Sequence, residues 1–132
     1  MTNEKPLGLA MILCDQIITE AASQKKTLVG IFNRIVSDEF PFLMTNMAVF
    51  VSLTNGRGVI QSKLICRHED ADEPVFGAIG TIEFPNPMEV IEIGFKLRNV
   101  PIPDPGTYCL EFFCDDIPVL ERRFVVKPST AD

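Results

Sequence analysis

Apolar and polar residues alternate along most of this chain with a period of two. Ile91, Ile93, Phe95 and Leu97 alternate with Glu92, Gly94, Lys96 and Arg98. That pattern predicts a strand with one buried and one wet face. Met47, Val49, Val51 and Leu53 form a second row, backed by Ala48, Phe50 and Ser52. Thr54-Asn55-Gly56-Arg57-Gly58 follows, and Asn-Gly between apolar alternations signals a hairpin. The next strand is therefore expected to return beside the last, with Ile60, Ser62, Leu64 and Cys66 inward and Gln61 and Lys63 outward.

The polar stretch His68 to Glu73 predicts an exposed loop. Phe76, Ala78, Gly80, Ile82 and Phe84 then make another inward row, stopped by Pro85-Asn86-Pro87 because proline cannot donate to a ladder. Val100 to Pro105 carries three prolines in alternate positions and reads as an extended crossover. Tyr108, Leu110 and Phe112 point one way, Asp115-Asp116 turns the chain, and Val119 to Lys127 returns with Phe124 and Val126 inward. Leu7 to Ile18 is apolar on both faces up to Asp15, as a central strand would be. Ala21 to Lys26 reads as a turn or one helical turn, Thr27 to Phe32 as a short strand, Asn33 to Phe42 as irregular, and the tail 128–132 as loose. About eight strands with turn signals every 8–12 residues predict an all-β protein, an antiparallel β-sandwich.

Length fits this picture. The 132 residues suit one domain, with its core over about 7–127, and roughly two-thirds of the unfolded surface can be buried without staples. Twelve basic against eighteen acidic residues give a net charge of −6. Such a chain repels phosphate backbones, so neither nucleic acid nor an anionic membrane is expected as a partner. The apolar run Leu7 to Cys14 resembles a signal-peptide core, but Glu4 precedes it and no small-residue cleavage site directly follows. We read it as a buried strand and the protein as cytoplasmic. Cys14, Cys66, Cys109 and Cys114 each sit in an apolar run, where thiols behave as small hydrophobes. Cys109 and Cys114 are five apart and face opposite ways in a regular strand.

The C-terminal third resembles the immunoglobulin-like fold. Asp104-Pro105-Gly106-Thr107-Tyr108 has the D-x-G-x-Y form found before the penultimate strand of such domains. The resemblance implies that the Tyr108 hydroxyl bonds back to the backbone and ties a corner. Leu110 stands where the second disulfide cysteine would be, and there is no Trp. The chain as a whole resembles a bacterial family known only as a domain of unknown function. The matching blocks are Leu13-Cys14-Asp15-Gln16-Ile17-Ile18, Lys26-Thr27-Leu28-Val29-Gly30-Ile31-Phe32, Phe40-Pro41 and the Thr54 to Gly58 turn. That resemblance implies a small cytoplasmic β-sandwich and supplies no activity and no site residues.

Catalytic chemistry has little to work with. His68 is the only histidine, and in an exposed loop it would be solvated and lack the buried partner that orients a catalytic base. No phosphate-binding loop or hydrolase motif is present. The chain is therefore read as non-enzymatic, with no cofactor. Two candidate surfaces remain. Phe40, Pro41 and Phe42, with Leu43, and Phe84, Pro85 and Met88 put large apolar groups where proline makes the chain irregular. They are expected either to plug the open ends of the fold or to meet an unknown protein partner. Self-association and pairing along an open strand edge are further routes. The alternative is a calcium- or small-ligand-binding sandwich, with Glu69, Asp70, Asp72 and Glu73 as oxygen donors.

Overall fold

The computed structural model describes residues 5–129. It contains nine strands: β1 (Leu7–Thr19), β2 (Lys26–Ile31), β3 (Arg34–Ser37), β4 (Phe42–Thr54), β5 (Gly58–His68), β6 (Pro74–Phe84), β7 (Ile91–Ile102), β8 (Gly106–Cys114) and β9 (Ile117–Pro128). Sheet A runs β2-β1-β4-β7 and sheet B runs β3-β9-β8-β5-β6. The inward rows named from periodicity meet in one core. Leu13, Met47, Val49, Val51 and Leu53 of sheet A pack with Leu64, Cys66, Leu110, Phe112 and Phe124 of sheet B. Phe95 meets Phe112 edge-on across the gap, with ring centroids 5.9 Å apart. Deleting a ring buried at this depth costs about 3–5 kcal/mol.

Three sequence expectations need correction. The Thr54 to Gly58 turn does not close a hairpin, because β4 and β5 lie in different sheets. Both strands carry a strong inward row, and an arch over the end of the core buries both at once. Asn55 and Gly58 still adopt the left-handed backbone that such a turn demands. Second, the irregular stretch after Asn33 holds β3, whose four residues pair in parallel with β9 from Arg34–Val125 to Ser37–Pro128. Third, the proline-rich crossover begins later than expected. Val100, Pro101 and Ile102 still belong to β7, where Pro101 is tolerated because β7 is an edge strand. The Asp115-Asp116 turn matches its prediction: both residues have positive φ and close a two-residue hairpin between β8 and β9. Of the tail read as loose, Pro128 pairs with Ser37 and Ser129 N–H bonds Ser37 O, while residues 130–132 lie outside the described residues.

β1 explains its own double-faced apolarity. It pairs with β4 from Leu7 to Cys14 and with β2 from Cys14 to Thr19. Where its first half lacks β2, Leu13 O accepts Phe32 N–H at 3.0 Å and Met11 O accepts Arg122 Nη1–H at 2.9 Å. Beyond Cys14 the β1–β2 ribbon folds back over the outer face of sheet A. Ile17 lies against Gly94, Lys26 Nζ stands 4.0 Å from Glu92 Oε1, and Cys14, Ile17 and Ala48 form a small second cluster with Leu28 and Phe50. The fold in the ribbon needs Gly30. Its φ is +70, and a Cβ there would strike the Asp15 carboxylate.

Two predictions follow from this packing. Gly30→Ala is expected to cost more than the roughly 1–2 kcal/mol of a left-handed residue alone, whereas Gly58→Ala, with open space around it, costs about that much. Urea unfolding of the two variants checks the order. The second concerns pH. Burial lifts the Cys14, Cys66, Cys109 and Cys114 thiols above their ordinary value of 9.0, Cys114 to about 11. The unfolded chain then ionises first. Their contribution is fully present below 9.0 and is lost as pH rises from that value to the folded pKa of each thiol. The urea midpoint is therefore expected to drop between about pH 9 and pH 11, and less steeply in Cys114→Ala.

Candidate partner-binding groove

Where the first residues of β4 pass the last of β7 and the first of β6, the two sheets leave a groove of about 740 Å³. Pro41, Phe42 and Leu43 line one side, Pro101 and Pro103 continue it, and Ala71, Glu73, Pro74 and Val75 face them, with Glu39 at the rim. Leu43 stands opposite Pro101 in the β4–β7 ladder and is 63% exposed. Phe42 is half-buried, edge-on to Phe40 at 5.5 Å, and both rings rest on the core. The Phe40–Pro41 peptide is cis. Among the described residues, the only charged ones in the lining are Glu39 and Glu73.

His68 holds the acidic side of this groove in place, which corrects the expectation of a solvated loop histidine. It ends β5 and is buried. Nε2 lies 2.9 Å from Pro105 O, which can only accept, and Nδ1 accepts the Asp70 N–H at 3.1 Å. Both contacts are satisfied by the neutral ring with its proton on Nε2. The ring also meets Tyr108 edge-on at 4.9 Å. The tyrosine hydroxyl donates to Asp104 O at 2.6 Å, as the sequence motif implies. Arg67 adds a bond from Nη1 to Asp72 O at 2.9 Å and an ion pair with Glu111 at 3.3 Å. Ala71 N–H bonds His68 O, and Glu69 N–H bonds Thr107 O. The loop is thus fixed through its backbone, and its carboxylates stand on a firm frame.

The two apolar clusters singled out from sequence do not share a surface. Phe84, Pro85 and Met88 lie at the Thr54 end of β4, where Asn55 N–H bonds Pro87 O. The Phe40, Pro41 and Phe42 group sits at the other end, roughly 40 Å away at ~3.3 Å per residue. Phe84 is 3% exposed and its ring lies against Gly56, so it is a plug under the arch. Pro85 is exposed and Met88 is 89% exposed, with its N–H on Asn86 Oδ1. Instead the fold brings Pro41 and Phe42 beside the loop carrying Glu69, Asp70, Asp72 and Glu73. Among the described residues no three His, Cys, Asp or Glu side chains stand close enough to hold a metal ion. Pro74, Val75, Pro101 and Pro103 were missed as site residues. Prolines 101 and 103 were visible, but the register setting Pro101 against Leu43 was not. A second cleft of about 400 Å³, on the outer face of sheet A by Asp15, Lys96 and Arg98, has charges of both signs.

If His68 anchors the loop, His68→Ala should speed amide exchange at Glu69 and Asp70 by at least about tenfold. It should also cost about 1–3 kcal/mol, because Pro105 O and the Asp70 N–H lose their partner. Hydrogen exchange read by mass spectrometry checks both. Unchanged exchange would show that the loop is held by its backbone bonds alone.

Comparison with known proteins gives a family without an activity. Among curated proteins none matches the chain significantly. Residues 9–127 match the model of a family described as a family of unknown function, DUF6941. That match spans nearly the whole of both sheets, and the chain belongs to this family of unknown function.

Proposed function

We propose that this protein is a non-enzymatic binding module that recognises a protein partner through the groove between β4, β6 and β7. One observation carries the reading: a preformed apolar groove, floored by prolines, Phe42 and Leu43, whose only charges among the described residues are the carboxylates of Glu39 and Glu73. Apolar surface with a fixed charged rim is what a partner site needs, and the rim selects a basic partner. His68 supports the non-enzymatic side of the reading, since both ring nitrogens are engaged with backbone.

We read the two sheets as an immunoglobulin-like β-sandwich in which β1 is an added strand between β2 and β4. The parallel β3–β9 edge, the β9-β8-β5 order and the Tyr108 corner support that reading. A bacterial cytoplasmic setting is the further proposal, supported by the family resemblance and by thiols kept free and largely buried. Among the described residues no helix is long and apolar enough to cross a membrane. Calcium binding by Glu69, Asp70, Asp72 and Glu73 ranks second, having only the carboxylates in its favour. A melting temperature that climbs on adding Ca²⁺ would promote it.

The test is recovery of the tagged protein from a native lysate, with co-purifying proteins identified by mass spectrometry. A stoichiometric partner should be retained by wild type and by Met88→Ser, and lost from Leu43→Asp and Glu73→Lys, all three changes lying at exposed positions. A partner kept by the groove variants and lost from Met88→Ser would move the site to the opposite end.

A further inference from the structure

β6 is an edge strand, and among the described residues nothing pairs with its outer side. The direction of its free backbone groups follows from its neighbour. Gln61 C=O accepts the Asp115 N–H and its own N–H donates to Asp115 Oδ1, both on the β8 side of β5. By alternation Ser62, Leu64 and Cys66 turn theirs toward β6, where they face Gly80, Ala78 and Phe76. Gly77, Ile79 and Thr81 are left with N–H and C=O groups pointing outward. Beyond Pro74 the usual protections of an edge are missing here. From Pro74 to Ile82 there is no charged residue, and Ile79 is 83% exposed. The other edges are guarded: β3 has four residues, β2 is bent at Gly30, and β7 carries Glu92, Lys96 and Arg98. The groove opens at the start of this same strand, through Pro74 and Val75.

We propose that the partner binds as an extended segment that adds a strand to β6 along Gly77–Thr81, with its basic residues at the Glu39 and Glu73 end of the groove. This rests on the groove reading above and names how the partner is held. Backbone bonds to the edge supply attachment, and the groove supplies selection. The charge pattern chooses a basic segment over a second copy of this chain. An antiparallel copy centred on Ile79 would set its Glu83 opposite Val75, next to Glu73 and Glu39, and each copy carries a net charge of −6.

The probe is a short synthetic peptide of alternating valine and threonine that ends in two lysines, measured by calorimetry on the purified full chain. Binding is expected to weaken with salt and to fall by at least about tenfold in two cases: when alternate peptide amides are N-methylated, and when the protein carries Ile79→Pro. Proline at 79 removes only an outward donor, so the β5–β6 ladder stays intact. The N-methylated peptide makes the same cut from the ligand side on unaltered protein, so the test survives a misfolded variant. If both changes leave affinity intact while Leu43→Asp abolishes it, strand addition is overturned and the groove reading stands. If no peptide binds wild type, whether ended in lysine or glutamate, the strand proposal is overturned and the groove reading rests on its lysate test. A concentration-dependent dimer in sedimentation that Ile79→Pro dissolves would hand the edge to a second copy and overturn the basic-segment occupant.

Discussion

The contact on which the groove end of the fold depends is the packing of the Tyr108 ring. It is fully buried, stacked on Phe124 at 5.3 Å and met edge-on by His68 at 4.9 Å. Its hydroxyl holds the Asp104 carbonyl, and His68 holds both Pro105 and the acidic loop. One aromatic side chain therefore joins the core to the β7–β8 connection and, through histidine, to the rim of the groove. A tilt of that ring would pass through His68 to the loop backbone. A phenol at its ordinary pKa of 10.0 is already a donor through the physiological range, and burial raises the value further.

Much of this architecture was legible in the sequence, for a definite reason. A half-buried strand writes its inward row directly into the chain, and the rows at Met47–Leu53, Tyr108–Phe112 and Phe124–Val126 are buried as their spacing requires. Local turn chemistry was also readable, as at Asp115-Asp116. Long-range pairing was not. Asn55-Gly56 states that the chain turns and does not state whether the next strand pairs with the last or crosses to the other sheet. β3 is only four residues long and takes its register from β9, far away in the chain, so nothing local announces it.

The site was half legible. Pro41 and Phe42 and the acidic loop were each visible as unusual segments, yet their meeting is a product of tertiary register. His68 misled because its neighbours Glu69, Asp70 and Asp72 are so polar. The side chain itself takes the inward parity of β5, continuing Leu64 and Cys66. Following that alternation one residue further would have placed it inside. Phe84 obeys the same rule in its own row and is core for the same reason.

The parallel pairing of β3 with β9 has a consequence for how the chain assembles. The β1–β2, β5–β6 and β8–β9 pairs join neighbours in sequence and can form as local hairpins. β3 cannot: among the described residues its sole partner is β9. During synthesis, which proceeds from the N-terminus, one border of sheet B stays unfinished until the final strand has emerged. Closing a loop of that length precedes any reward from the contacts it makes. Completion of sheet B is thereby tied to its last strand, while sheet A, which does not include β9, does not depend on it for its strand pairing.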